Sequence, residues 1–457
     1  MHKFFNDKEF FSTLSRLWAP IASQQLIFSL LNFASTMMVG QLGETSVAAV
    51  GLAGQIFFLF QLFMFGIGSG SAIFIAQFWG KRDVANIRRV LGIMLALGLF
   101  GAAIFTMIAL LFPHIALSIY TTDPNVIALG SDYLRIAGLQ YLFIAITSSY
   151  AITLRSTGNV RTPVVVSVLA LSLGAILNFA LIFGHLGLPA LGALGSAVGS
   201  VIARALECAL ILFLTYSARL VAAARLREMF SFDSRFLASI LKTMLPVVVN
   251  EILWSIGISL YSLIFGRIGT ESLAAVSIAA SVENLAFVPF IAVANSAAIM
   301  IGNCIGADEE HKAMTYAKRF LTMNLAISTF LGAIIFVSAD LILRFYQIDA
   351  ITHEYARNVL TIMSLALIIK ASNMLLIVGV LRAGGDARVS ALIDVSPLWL
   401  VGLPAAALGA FVFGWPVYWV YLLTITDEAC KLALALWRMI SKRWINNLAR
   451  QHAVTET

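Results

Sequence analysis

Long apolar stretches separated by short polar turns run from about residue 14 to about residue 440. A helix needs roughly 20 such residues to cross the hydrocarbon of a bilayer. The pattern predicts twelve spans, at about 14–40, 47–79, 88–112, 126–154, 161–185, 190–216, 243–266, 271–303, 313–338, 351–381, 386–412 and 416–440. Several exceed the minimum, which implies tilt or helix ends that project past the hydrocarbon. The one long polar connection, 217–242, is basic and amphipathic and reads as a cytoplasmic linker on the membrane surface. The expected fold is an all-α integral membrane protein. It has an N-lobe of six transmembrane helices (1–216), the linker (217–242), a C-lobe of six more (243–440) and a cytoplasmic tail (441–457) that frays after Lys442.

The chain is written twice. Pro20 and Pro246, Ser29 and Ser255, Gly40 and Gly266, and Gly43 and Gly269 all stand 226 residues apart, and residues 20–53 and 246–279 agree at nine of 34 positions. A second block, Leu154-Arg155 through Gly158 to Arg161, recurs 227 residues on as Leu381-Arg382 through Gly385 to Arg388. Six helices per repeat is an even number, so both halves enter the bilayer from the same side, and an axis along the membrane normal relates them. The expectation is two pseudo-symmetric six-helix lobes around a central cleft, with sites near the midplane and rocking of one lobe against the other. No Walker A or other Gly-rich phosphate loop is present in the sequence, which leaves no sign of ATP drive.

Composition strengthens the membrane reading. The chain is 60% hydrophobic and 12% charged, against about 25% charged in soluble domains. The net charge of +7 raises a nucleic-acid partner, but the distribution argues against one. With the N-terminus in the cytoplasm, 23 of the 30 Lys and Arg fall on that side, from Lys3 through Arg155 and Arg382 to Arg450, and the opposite loops hold only Arg267 and Arg344. This is the positive-inside pattern, and it faces anionic lipid headgroups. Cys208, Cys304 and Cys430 lie in apolar segments at no metal spacing and read as buried filler. The first 18 residues show no cleavable signal and read as a retained amphipathic lead-in.

Four separated motifs then carry a resemblance. Pro20 followed by Val39-Gly40-Gln41-Leu42-Gly43 and Val47-Ala48-Ala49-Val50-Gly51 resembles the first-helix signature of multidrug and toxic compound extrusion (MATE) transporters, and Leu154 to Pro163 resembles their fourth loop. Pro246 through Ala275 and Leu381 to Asp386 match in the second half. The resemblance covers essentially the whole chain. It implies export of organic, often cationic, compounds in exchange for Na⁺ or H⁺, with no cofactor and no catalytic residues. The implied setting is a bacterial cytoplasmic (inner) membrane, with both termini cytoplasmic, a monomer as the unit, and small organic substrates and the bilayer as partners. Two departures stand out. The first-helix aspartate of many prokaryotic members is Ser35 here, and the tenth-helix aspartate of the NorM-like branch is missing from Lys370-Ala371-Ser372-Asn373.

The polar positions inside the spans are the candidate site. An intramembrane acid is costly and marks function by default. Glu251, Glu283 and Asp394 are the acids of the central membrane region, and all three lie in the C-lobe; Gln25 stands where the first repeat would carry Glu251. They are the expected ion-coupling residues. Oxygen ligands suit a hard ion such as Na⁺, with Glu251 its expected site, and a raised carboxyl pKa suits a proton. Polar stripes at helical spacing add Gln25, Asn32, Ser35 and Thr36 in the first helix, and Asn250, Ser255 and Ser262 in the seventh, as substrate-cleft candidates. Trp254 is added for cation–π contact, and Lys370 as a fixed counter-charge. Each has a plainer alternative: interhelical hydrogen bonding for the serines, core packing for Trp254, snorkelling for Lys370, and a polar spot beside Pro397 for Asp394. Arg204 with Glu207, and Lys431 with Asp427 and Glu428, read as structural pairs within their own helices. The rival functions are a lipid-linked saccharide flippase of the same superfamily, a membrane-embedded lipid-modifying enzyme, and a structural or receptor protein.

Overall fold

In a bilayer every backbone N–H and C=O must find its partner within the protein, which leaves helices as the spanning element for such a chain. The computed structural model describes residues 7–453; Lys3 and the outermost ends of the expected N-lobe and tail lie outside the described residues. All regular structure among the described residues is helical. The spanning helices are α1 (Lys8–Gly40), α2 (Glu44–Gly80), α3 (Val84–Leu111), α4 (Pro124–Ala137 and Gln140–Ser156, bent by 44°), α5 (Arg161–Phe183), α6 (Ala193–Ser217), α7 (Ser234–Ile268), α8 (Thr270–Gly306), α9 (Glu310–Leu343), α10 (Ala350–Arg382), α11 (Ala387–Val412) and α12 (Val417–Ile440). Nine of these, or ten with bent α4, are long and apolar enough on composition alone. Gln24, Gln25 and Asn32 dilute α1, and Asp427, Glu428 and Lys431 dilute α12.

The helices form two compact units. One comprises Ala19–Ile75 and Arg82–Leu241; the other comprises the chain from Lys242 onward, the described residues up to Trp18, and Ala76–Lys81. Phe60, Met64, Leu134 and Tyr141 centre the core of the first unit, where the rings of Phe60 and Tyr141 lie 4.8 Å apart. Phe265, Phe290, Leu360, Met363, Leu398 and Tyr421 centre the second. Large side chains such as Phe100, Phe213, Phe330, Val337 and Leu400 point outward and are exposed. Apolar surface on this scale marks a lipid-facing protein.

Matching sequence blocks fold alike. After α4, Gly158 N–H donates to Arg155 C=O and Asn159 N–H to Leu154 C=O, both at 2.9 Å. After α10, Gly385 N–H donates to Arg382 C=O at 2.9 Å and Asp386 N–H to Leu381 C=O at 3.1 Å. Both are Schellman turns, which need a left-handed residue just past the helix; Gly158 and Gly385 supply it at φ +84° and +83°.

The expectation of a frayed tail fails between Arg443 and Arg450. Trp444 is fully buried, and Asn446 N–H donates to Gly384 C=O at 2.7 Å. Gln77 clasps the same strap: its Nε2 donates to Asn446 C=O and Ala383 C=O, both at 3.1 Å, and its Oε1 accepts Leu448 N–H at 2.7 Å. A tryptophan's apolar area and satisfied backbone outweigh the entropy of ordering so few residues.

Candidate functional site

Glu251 sits one turn and a half past Pro246 on α7, with Asn250 beside it. Both are buried. A buried carboxylate needs a partner, and Arg382 provides it: Nη1 donates to Glu251 Oε1 at 2.8 Å, and Nη2 lies 3.7 Å from Asp394 Oδ2. The final turns of α10, Leu375–Arg382, are π-helical, a form common at functional positions. Asn250 Nδ2 bridges the two acids, at 3.4 Å to Glu251 and 3.0 Å to Asp394. Its Oδ1 is buried with no hydrogen-bond partner.

Asp394 continues the network. Lys431 Nζ lies 3.8 Å from Asp394 Oδ1, and 3.0 Å from both Asp427 and Glu428. Tyr261 donates to Asp427 at 3.2 Å, and Asn373 donates to Glu428 Oε2 at 2.7 Å. Nearby, Lys370 donates to both oxygens of Glu283, at 2.7 and 3.0 Å, and lies 3.4 Å from the Tyr421 hydroxyl. Five carboxylates thus stand with three bases, which leaves two carboxylates more than bases. Among the described residues no group of three or more His, Cys, Asp or Glu is arranged to hold a metal ion.

The structure brings Glu251, Asp394 and Asn250 together and puts Glu283 and Lys370 in a separate pair. Trp254 packs on the apolar core of its unit. The Ser262 hydroxyl donates to the carbonyl one turn back, Ile258, and Ser255 C=O receives Ser259. In the first unit Thr36 donates to Asn32 C=O, and Gln25 C=O receives Ser29. Asn32, Ser35 and Thr36 line a cavity of about 420 Å³ within that unit; Gln25 does not.

Sequence reasoning missed Arg382, which it counted as a cytoplasmic loop charge. Its neighbour Gly385 was readable and puts Arg382 inside the last turn of the helix, but it does not tell which way the side chain turns. Lys431 and Asp427 do pair within α12, as expected, but they also reach across to α11 and α7.

Comparisons with known proteins follow the same outline. The family model described as MatE matches residues 20–180 and 246–408. A probable multidrug resistance protein, YoeA of Bacillus subtilis (strain 168), is 27% identical over 86% of this chain and 86% of its own. A probable multidrug resistance protein NorM of Thermotoga maritima is 22% identical over 94% of this chain and 92% of its own. Among solved structures, an outward-facing multidrug resistance MATE family transporter of the MOP superfamily superposes with a TM-score of 0.85 at 19% identity, covering 94% of this chain and 96% of that one. A eukaryotic MATE transporter, AtDTX14, superposes with a TM-score of 0.82 at 18% identity, covering 97% and 98%. At these identities the structural likeness speaks for the fold.

Proposed function

Because the chain belongs to the MATE family of multi-pass membrane transporters, which are not enzymes and need no cofactor, we propose that it is an antiporter. It exports small organic compounds, often cationic, in exchange for Na⁺ or H⁺, by alternating access of its two lobes. Its setting is a bacterial cytoplasmic membrane, with both termini cytoplasmic and the monomer as working unit. The names of the relatives, multidrug resistance proteins, support the substrate class.

One observation carries the ion-coupling part: the side-chain network of the C-terminal unit holds two more carboxylates than bases. Uncompensated charge at such a depth is expensive. Two protons or a monovalent cation with one proton would balance it. Glu251, Asp394 and the unpartnered Asn250 Oδ1 form the oxygen-rich corner where such a charge is best placed. Arg382 occupies that corner now, so ion entry and release of the guanidinium are coupled. For exchange, the ion and the substrate must favour different states of the protein.

Glu251→Gln keeps the shape and removes the charge. It is expected to reach the membrane at normal levels and to abolish ion-driven ethidium accumulation in everted vesicles. Undiminished ion-driven efflux would sink the assignment. A Na⁺ jump at clamped pH, set against a pH jump without Na⁺, identifies the ion.

A further inference from the structure

The first unit keeps the positions of the C-terminal network and changes their chemistry. A spacing of 227 pairs Arg155 with Arg382, Arg204 with Lys431, Ser200 with Asp427 and Ala175 with Gly402; a spacing of 226 pairs Ser35 with Tyr261 and Phe57 with Glu283. In the second unit Tyr261 and Asp427 fill the shared space, and a Cβ at Gly402 would stand 2.0 Å from the Tyr261 hydroxyl. In the first unit Ser35, Ser200 and Ala175 all line the 420 Å³ cavity. The cavity is the repeat counterpart of the charge network, emptied of its carboxylates.

The sign of its lining is inverted. Among the described residues, Arg204 is the one charged side chain on the wall, and no Asp or Glu lines it. Glu207, outside the lining, accepts from Arg204 Nη1 at 2.6 Å and from the Ser167 hydroxyl at 2.7 Å. Among the described residues, the other N–H groups of Arg204 have no protein partner. Arg155, which donates to Gln24 at 2.9 Å, shares the field of Glu207. Two guanidinium groups against one carboxylate leave the region net positive. Asn178 also contributes to the wall; its Oδ1 is buried against Gly199 of α6 and accepts from nothing. Phe28, Leu31, Phe57 and Tyr141 supply apolar surface.

We infer that this cavity binds an organic anion. A carboxylate lies on Arg204, and the aromatic or aliphatic body packs on the apolar wall. The volume suits a small molecule, and a guanidinium fork matches a carboxylate. A simple cation meets a field of its own sign here. The inference rests on the export reading and adds carboxylates and zwitterions to its substrates.

The test is calorimetric binding to the purified protein in phosphatidylcholine nanodiscs, without an ion gradient. The probes are 1-naphthylacetate, neutral 1-naphthylacetamide and cationic 1-naphthylmethylammonium. The acetate is expected to bind at least about tenfold more tightly than the other two, the scale of one charge-assisted hydrogen bond. Arg204→Gln should erase the preference, and Arg204→Lys should keep part of it. Ser35→Asp puts an acid on the wall without touching the Arg204–Glu207 pair and should turn the order toward the ammonium; it serves as the reading if Arg204→Gln misfolds. Equal binding of all three probes, or a preference that survives both changes, overturns the inference. The same titration in phosphatidylglycerol discs separates sources of the anion. Unchanged affinity supports a free organic acid, and lost affinity assigns the site to a lipid headgroup and overturns it. No flux is measured, so failure of the efflux assay and failure of this site are read separately.

Discussion

Arg382 holds Glu251 at 2.8 Å and stands 3.7 Å from Asp394, and its own side chain is 3% exposed. Removing one member of a buried ion network leaves the rest uncompensated, at a cost of about 3–5 kcal/mol. Arg382→Ala is therefore expected to lower the thermal midpoint in detergent at neutral pH by several degrees. Added Na⁺ or acid should restore part of the loss, because either one supplies the missing positive charge; a midpoint insensitive to both would detach Arg382 from the ion corner. Glu251 was legible in the sequence because one acid in a long apolar run stands out. Arg382 was not, because a basic residue at a span's end has the same appearance whether it faces headgroups or turns inward. Only the π-helical turns at the end of α10 decide that, and no residue pattern here announces them.

At the scale of elements, the Schellman turns after α4 and α10 share a backbone but not surroundings. A Cβ at Gly158 meets nothing within 4 Å, whereas one at Gly385 would stand 2.7 Å from Asn446 C=O. An alanine costs roughly 1–2 kcal/mol in either place for its left-handed conformation. Gly385→Ala must also displace the C-terminal strap. The expectation is a modest fall in thermal midpoint for Gly158→Ala and a clearly larger one for Gly385→Ala, measured side by side; equal falls would mean that the strap yields freely. The glycines themselves were readable as a repeated motif. The strap was not, because Trp444 sits in a polar, basic stretch with no periodicity to suggest a docked segment.

At the scale of the molecule, hydrophobic run lengths foretold twelve spanning helices, and the doubled motifs foretold two related halves. Charge placement diverged where the backbone did not: equivalent positions carry a carboxylate-rich network in one half and an arginine-lined cavity in the other. Such a difference is invisible to periodicity, which sees polar positions but not the sign they present together. The strap adds a consequence of a different kind. Its residues are made after all the spanning helices, so the turn after α10 and the Gln77 side chain on α2 wait for partners not yet synthesised while those helices insert. This end of the second unit is thus sealed only after its helices have been made. A chain stopped after Lys442 should insert all its helices yet be cut by a protease near residues 383–386, in detergent, far faster than the full chain. Equal protection would show that the seal forms without the strap. By the same logic, a bulky fusion placed directly after Ile440 is a poor choice for producing this protein, because it displaces the residues that complete it.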